Sequence, residues 1–129
     1  MKKDKPRQLT INIDHLPYKE LSPNSRCHYM VKARSTKIAR EEIGWLVKAQ
    51  WHDDKPMIKA KISYEFHIRN KRRRDMDNLF AMTKPWQDGL IDVGVIFFDD
   101  ANHLEIGSME LVEDTEDKTI VTIEELKNE

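Results

Sequence analysis

The chain has 129 residues, 39% hydrophobic and 35% charged, which suits one domain with a core of its own. At that charge density a lone acidic pair or cation run carries little weight by itself, and the single cysteine, Cys27, excludes an internal disulfide and a cysteine-based zinc site. The net charge of −1 hides an asymmetry: residues 1–84 hold 20 Lys+Arg against 10 Asp+Glu, and residues 85–129 hold 2 against 13. A protein of this balance binds a polyanion if its cations gather on one face; a soluble protein with an acidic tail has the same profile.

Residues 1–7 read as a flexible basic arm. No apolar stretch follows them, so they do not read as a secretory signal. No apolar run approaches the roughly 18 residues of a membrane span, and a cytoplasmic protein is the expectation. Leu9, Ile11 and Ile13 alternate with Thr10, Asn12 and Asp14, the period of a half-buried strand. His15-Leu16-Pro17 and Ser22-Pro23-Asn24-Ser25 are turn signals, so 15–27 reads as a loop.

From about residue 28 to 51 the pattern is helical, with Ala39, Ile43, Leu46 and Val47 on one face. Lys32, Arg34, Lys37 and Arg40 lie in its first half and offer either a DNA-binding surface or a solvated face. His52-Asp53-Asp54-Lys55-Pro56 ends the helix. Residues 57–68 alternate: Ile58, Ala60, Ile62, Tyr64, Phe66 and Ile68 share one face, and Lys59, Lys61, Ser63, Glu65 and His67 the wet one. One buried face implies an antiparallel or mixed sheet.

This strand leads into Lys71-Arg72-Arg73-Arg74-Asp75-Met76-Asp77-Asn78. Asp77 and Asn78 suit the N-cap of a helix carrying Leu79, Met82, Trp86 and Leu90, kinked or restarted at Pro85 and closed by Gly94. Val95-Ile96-Phe97-Phe98 reads as a short strand ending at Asp99-Asp100. Residues 103–113 and 118–124 read as a hairpin, with Asp114-Thr115-Glu116-Asp117 as its turn and an acidic tail, 125–129, beyond it. The order β-α-β-α-β-β-β describes a single small α+β domain over 1–129, with two main helices on one side of a mixed sheet.

Cations suit a phosphate backbone, and clustered carboxylates suit a hard divalent ion such as Mg²⁺, with Mn²⁺ able to stand in. Asp-x-Asp in extended geometry puts both side chains on one face. If the strand ends at Asp75 and at Asp99-Asp100 are neighbours, three carboxylates meet at one edge of the sheet, a layout for metal-assisted phosphodiester hydrolysis. Each piece alone has a plain reading as a solvated turn or charge run; the combination in this order does not. His28 and His103 are further polar candidates near DNA and the acidic pair.

Arg73-Arg74-Asp75-Met76-Asp77-Asn78-Leu79, then Lys84-Pro85, Asp88-Gly89-Leu90, Gly94-Val95 and Asp99-Asp100, resembles the RusA family of Holliday junction resolvases, common in phages and prophages. Leu21-Ser22-Pro23-Asn24-Ser25-Arg26, with His28 and Lys32-Ala33-Arg34, is similar to the opening of the phage-type branch. The resemblance spans roughly residues 8–123. It implies a Mg²⁺-dependent homodimeric endonuclease that nicks two opposed strands of a four-way junction. It implies three essential carboxylates: Asp75, Asp77 and one of Asp99 and Asp100, with Asp100 favoured by counting into the pair from its end. The essential lysine best matches Lys84; without an insertion the position falls on Ala81. Lys71, Arg72, Arg73 and Arg74 then bind flanking phosphates. A two-fold junction wants two symmetry-related sites, and Trp45, Trp51, Phe97 and Phe98 are the apolar residues available for a dimer interface. The competing readings are a non-catalytic branched-DNA-binding protein that keeps the fold, and an Asp-x-Asp transferase using a nucleotide sugar, which the lack of a nucleotide-binding βαβ pattern disfavours.

Overall fold

A computed structural model describes residues 6–23, 25–69 and 76–127, with the helical backbone alone for 76 and 77. The alternation near the N-terminus forms β1 (Gln8–Ile13), with Leu9, Ile11 and Ile13 buried and their neighbours exposed. The helical pattern forms α1 (Tyr29–Lys48), capped by His28, whose Nδ1 accepts from the Met30 amide at 3.2 Å. Between them a short 3₁₀ turn, Lys19–Leu21, interrupts the predicted loop. Then follow β2 (Ala60–Ile68), α2 (Met76–Met82), α3 (Lys84–Asp92), β3 (Leu104–Glu113) and β4 (Lys118–Glu125). The class is α+β, as expected.

The four described strands form one mixed sheet in the order β1-β4-β2-β3, with β4 antiparallel to both neighbours and β2 parallel to β3. Register builds the core in rows across three strands: Leu9 beside Ile123 beside Ile62, Ile11 beside Val121 beside Tyr64, and Ile13 beside Thr119 beside Phe66. All nine side chains are buried. Ala39, Ile43 and Val47 of α1 and Trp86 and Leu90 of α3 cover this face. The two helices approach closely at Gly89, where a Cβ would stand 2.4 Å from Ile43 Cγ2 and 2.7 Å from the Arg40 carbonyl oxygen.

Several expectations are corrected. The predicted hairpin of 103–113 and 118–124 is split, because β2 lies between β3 and β4 and pairs with both. β2 ends inside the connecting turn: the Asp114 amide donates to the Ile68 carbonyl at 3.0 Å, and the Arg69 amide donates to Asp117 Oδ1 at 2.7 Å. Val95–Phe98 is not a strand; a single parallel bridge joins Ile96 to Met57. β2 starts later than predicted, and Ile58 is exposed. His67, assigned to the wet face, is buried, with Nδ1 2.8 Å from Asp114 Oδ2 and Nε2 3.0 Å from Glu65 Oε1.

α2 begins at Met76, so Asp77 and Asn78 lie in its first turn and not at the N-cap. The helix is interrupted at Thr83 and restarts with Pro85 in the first turn of α3, and Gly94 follows at φ 81°. Arg7, read as part of a flexible arm, is anchored: its guanidinium grips both carboxylate oxygens of Glu125, pairs with Asp53 at 2.8 Å and lies over the Trp51 ring. Glu125, read into the tail, thus closes β4, and Trp51 packs against the core rather than standing free for a partner. Among the described residues no helix is long and apolar enough to cross a membrane.

Candidate active site

Thr83 sets the position of Lys84. Its buried hydroxyl donates to the Phe80 carbonyl at 2.6 Å and accepts from Gln87 Nε2 at 3.2 Å, which ties the end of α2 to the start of α3. Pro85 fits here because a helix's first turn leaves its N–H groups free anyway. Lys84 therefore opens α3 with its side chain half-exposed.

The acidic pair reaches it from the other side. The Val95 amide donates to the Leu90 carbonyl at 2.9 Å, and Val95 and Phe97 bracket Met57 with two backbone hydrogen bonds. The chain leaves this clamp at Asp99, whose Oδ2 accepts from Lys84 Nζ. Lys84 also pairs with Asp88, one turn along α3, at 3.2 Å. The Asp99 contact, then burial working against it, then Asp88, together hold the Lys84 ammonium above its ordinary range.

Asp100 turns elsewhere. Its Oδ1 accepts from His103 Nδ1 at 2.6 Å and from the Asn102 amide at 3.0 Å, and the His103 contact chiefly holds its carboxyl below the usual range. Lys84 thus meets Asp99, whereas counting into the pair favours Asp100 as the third carboxylate. Phe97 and Phe98, both exposed, flank the His103 ring at 5.3 and 5.8 Å between centroids.

The described end of β2 does not lie beside the acidic pair. β2 starts beside the acidic pair, since the Ala60 amide donates to the His103 carbonyl at 2.9 Å, and it ends beside Asp114 and Asp117. Its nine residues span about 30 Å. The helices bring the chain back: Phe80 of α2 stands edge-on to Tyr64 in mid-strand, and Lys84 then contacts Asp99. Asp77 lies in the first turn of α2, a helix about 10 Å long. Lys71, Arg72, Arg73, Arg74 and Asp75 lie outside the described residues.

On α1, Arg34 and Lys37 are exposed and Lys32 is half-buried. Arg40 is committed to Asp92 through two hydrogen bonds of 2.6 and 2.8 Å, which removes it from the set of free cations. A groove of about 530 Å³ runs along this face between Lys37, Trp45, Lys48 and the Arg40–Asp92 pair. Lys48 lies over the exposed Trp45 ring at 5.2 Å. Sequence reasoning missed Asp88 as a partner of Lys84, although the i,i+4 spacing of opposite charges is a legible signal. It gave no hint of the Arg40–Asp92 pair.

No family model matches the chain, and no curated protein matches it. Among solved structures it is similar to hydrogenase maturation protein HypE, at 14% identity over 100% of this chain and 34% of that one, with a TM-score of 0.36. A structure of HypE in complex with ATP gives 14% identity over 99% and 32%, with a TM-score of 0.35. The chain spans about a third of the length of these proteins.

Proposed function

We propose that this protein is a metal-dependent endonuclease for branched DNA, of the RusA type, that resolves four-way junctions by paired nicks. The observation that carries the reading is the contact between Lys84 and Asp99, which joins two parts of the motif that lie well apart in sequence. An ammonium held on a carboxylate at an exposed surface is a ready exchange point: a phosphate can take the ammonium, and a divalent cation the carboxylate.

The donors fit Mg²⁺, because Asp99 and Asp100 offer hard carboxylate oxygens in half-exposed or exposed positions. Asp75, Asp77, Asp100 and Asp99 are the residues that would hold it. When bound, such an ion supplies the activated water and stabilises the leaving oxygen. Lys84 then neutralises charge building on the scissile phosphate, and Lys71, Arg72, Arg73 and Arg74 hold the flanking phosphates. Lys32, Arg34 and Lys37 offer α1 as the surface for a duplex arm. Two copies present two such sites to a two-fold junction; a concentration-independent monomer mass in sedimentation would remove that part.

The test is cleavage of a synthetic mobile four-way junction, with Mg²⁺ and with EDTA, beside duplex and single-stranded controls. The expected result is symmetric nicking that needs Mg²⁺ and spares the duplex. Asp75→Asn should lower cleavage by about 10²–10³-fold or more while keeping junction binding. Tight binding without cutting under any divalent ion would instead make this a structure-specific DNA-binding protein.

A further inference from the structure

Away from the acidic pair, the end of β1 meets the middle of α1. Asp14 and His15 leave the strand there, and Glu42 rises from the helix to face them. One ligand atom from each lies within 4.8 Å of the others. We propose that Asp14, His15 and Glu42 form a second, separate site for a divalent transition-metal ion of the Zn²⁺ class, which clasps β1 to α1.

The protonation geometry of His15 is the first argument. Its Nδ1 lies 2.7 Å from the Leu16 carbonyl oxygen. A carbonyl only accepts, so Nδ1 carries the hydrogen. In the neutral ring, Nε2 then presents a lone pair, and it points at Glu42 Oε2 from 2.7 Å. Two acceptors face each other and require a cation between them, either a proton or a metal ion. Metal-bound histidines almost always donate the other ring N–H to a carboxylate, a backbone carbonyl or water, and His15 makes one of these contacts.

Preorganisation is the second. The Tyr18 ring stacks on His15 at 4.7 Å with 25° between planes, and the Tyr18 hydroxyl donates to Glu42 Oε1 at 3.5 Å. Thr119 on β4 donates to the His15 carbonyl at 2.9 Å. Ring and carboxylate are thus steered by the same tyrosine, and the histidine backbone is tied to the sheet.

Donor chemistry is the third. One imidazole nitrogen and two carboxylates suit Zn²⁺ and its neighbours better than Mg²⁺, which prefers oxygen alone. At bond lengths near 2.0–2.2 Å, ligand atoms around a tetrahedral ion stand about 3.3–3.6 Å apart. A small swing of Glu42 opens the His15–Glu42 gap to that range. Asp14 is exposed, so solvent can complete the coordination.

This site shares no residue with the Lys84–Asp99 region, and the inference does not rest on the nuclease reading. The experiment uses the full chain freed of metal by chelator dialysis and titrated with Zn²⁺ against a chromogenic chelator, with melting temperature followed in parallel. In Asp99→Asn, whose acidic pair lacks a ligand, the expected result is one ion bound per chain, with a rise in melting temperature because the ion binds the folded state. Affinity at this site should fall about tenfold or more in His15→Gln and in Glu42→Gln, and be retained in Asp99→Asn. Circular dichroism checks that the variants fold, and Asp14→Asn serves if one does not. Absence of Zn²⁺ binding, or binding untouched by these changes, would mean that His15 and Glu42 share only a proton, and would overturn the proposal. Loss of binding in Asp99→Asn would assign the ion to the acidic pair and overturn it equally.

Discussion

Lys84 reaches across to Asp99 with both side chains partly in water, so the pair contributes little to stability, about 0–1 kcal/mol after screening. Lys84→Met should therefore leave the melting temperature nearly unchanged while lowering junction cleavage by about 10-fold or more; equal cleavage by variant and parent would take Lys84 out of the reaction. Asp114 behaves differently. His67 first, then the Thr115 amide, hold its carboxyl at about 2, against an ordinary value near 3.9. A carboxyl depressed by folding stabilises the native state above its unfolded pKa, and that contribution fades as pH falls through the folded value. Urea unfolding should show a loss of stability between about pH 4 and pH 2 that Asp114→Asn reduces; an unchanged acid limb in the variant would refute the linkage. Neither partnership was legible in the sequence. Lys84 and the acidic pair were singled out as types, but Asp114 lies 47 residues from His67, and nothing local says that a residue on the alternating wet face will be buried between two carboxylates.

At the scale of elements, alternation and helical spacing found β1, α1, β2 and the α2–α3 region, because each buries one face and the period follows from that. β3 was found as a segment but not as a partner of β2. Its phase breaks at Gly107, where a Cβ would stand 2.3 Å from Ser63 Oγ and the register with β2 shifts. Such a bulge resets which residues face the core. Gly89 was legible only as part of a motif; its packing reason is the approach of α3 to α1. Gly→Ala in a helix ordinarily gains up to about 1 kcal/mol. Here the added methyl meets a side chain at 2.4 Å and backbone at 2.7 Å, and overpacking costs about 1–3 kcal/mol. The clash wins, so Gly89→Ala should lower the unfolding midpoint in denaturant. A midpoint equal to or above the parent's would mean that the helices separate at no cost.

For the whole molecule, the α+β class could be read from the order of elements, but the strand order could not, since pairing across the chain leaves no local trace. Trp45, Phe97 and Phe98 are exposed, while Trp51 is used internally beneath Arg7. The sheet order carries a consequence for how the chain assembles. Among the described strands, β1 pairs only with β4, register Gln8 to Glu124, so β1 has its partner 116 residues further along the chain. β4 also holds β2 on its other side. Closing such a distance costs entropy before any contact repays it. A ribosome-bound chain halted before Lys118 should leave β1 without its hydrogen-bonded partner strand, detectable as rapid amide exchange across 8–13. Slow exchange there in the halted chain would show that β1 docks unaided; otherwise β4 is the bolt that turns a loose helical half and an open sheet edge into one body.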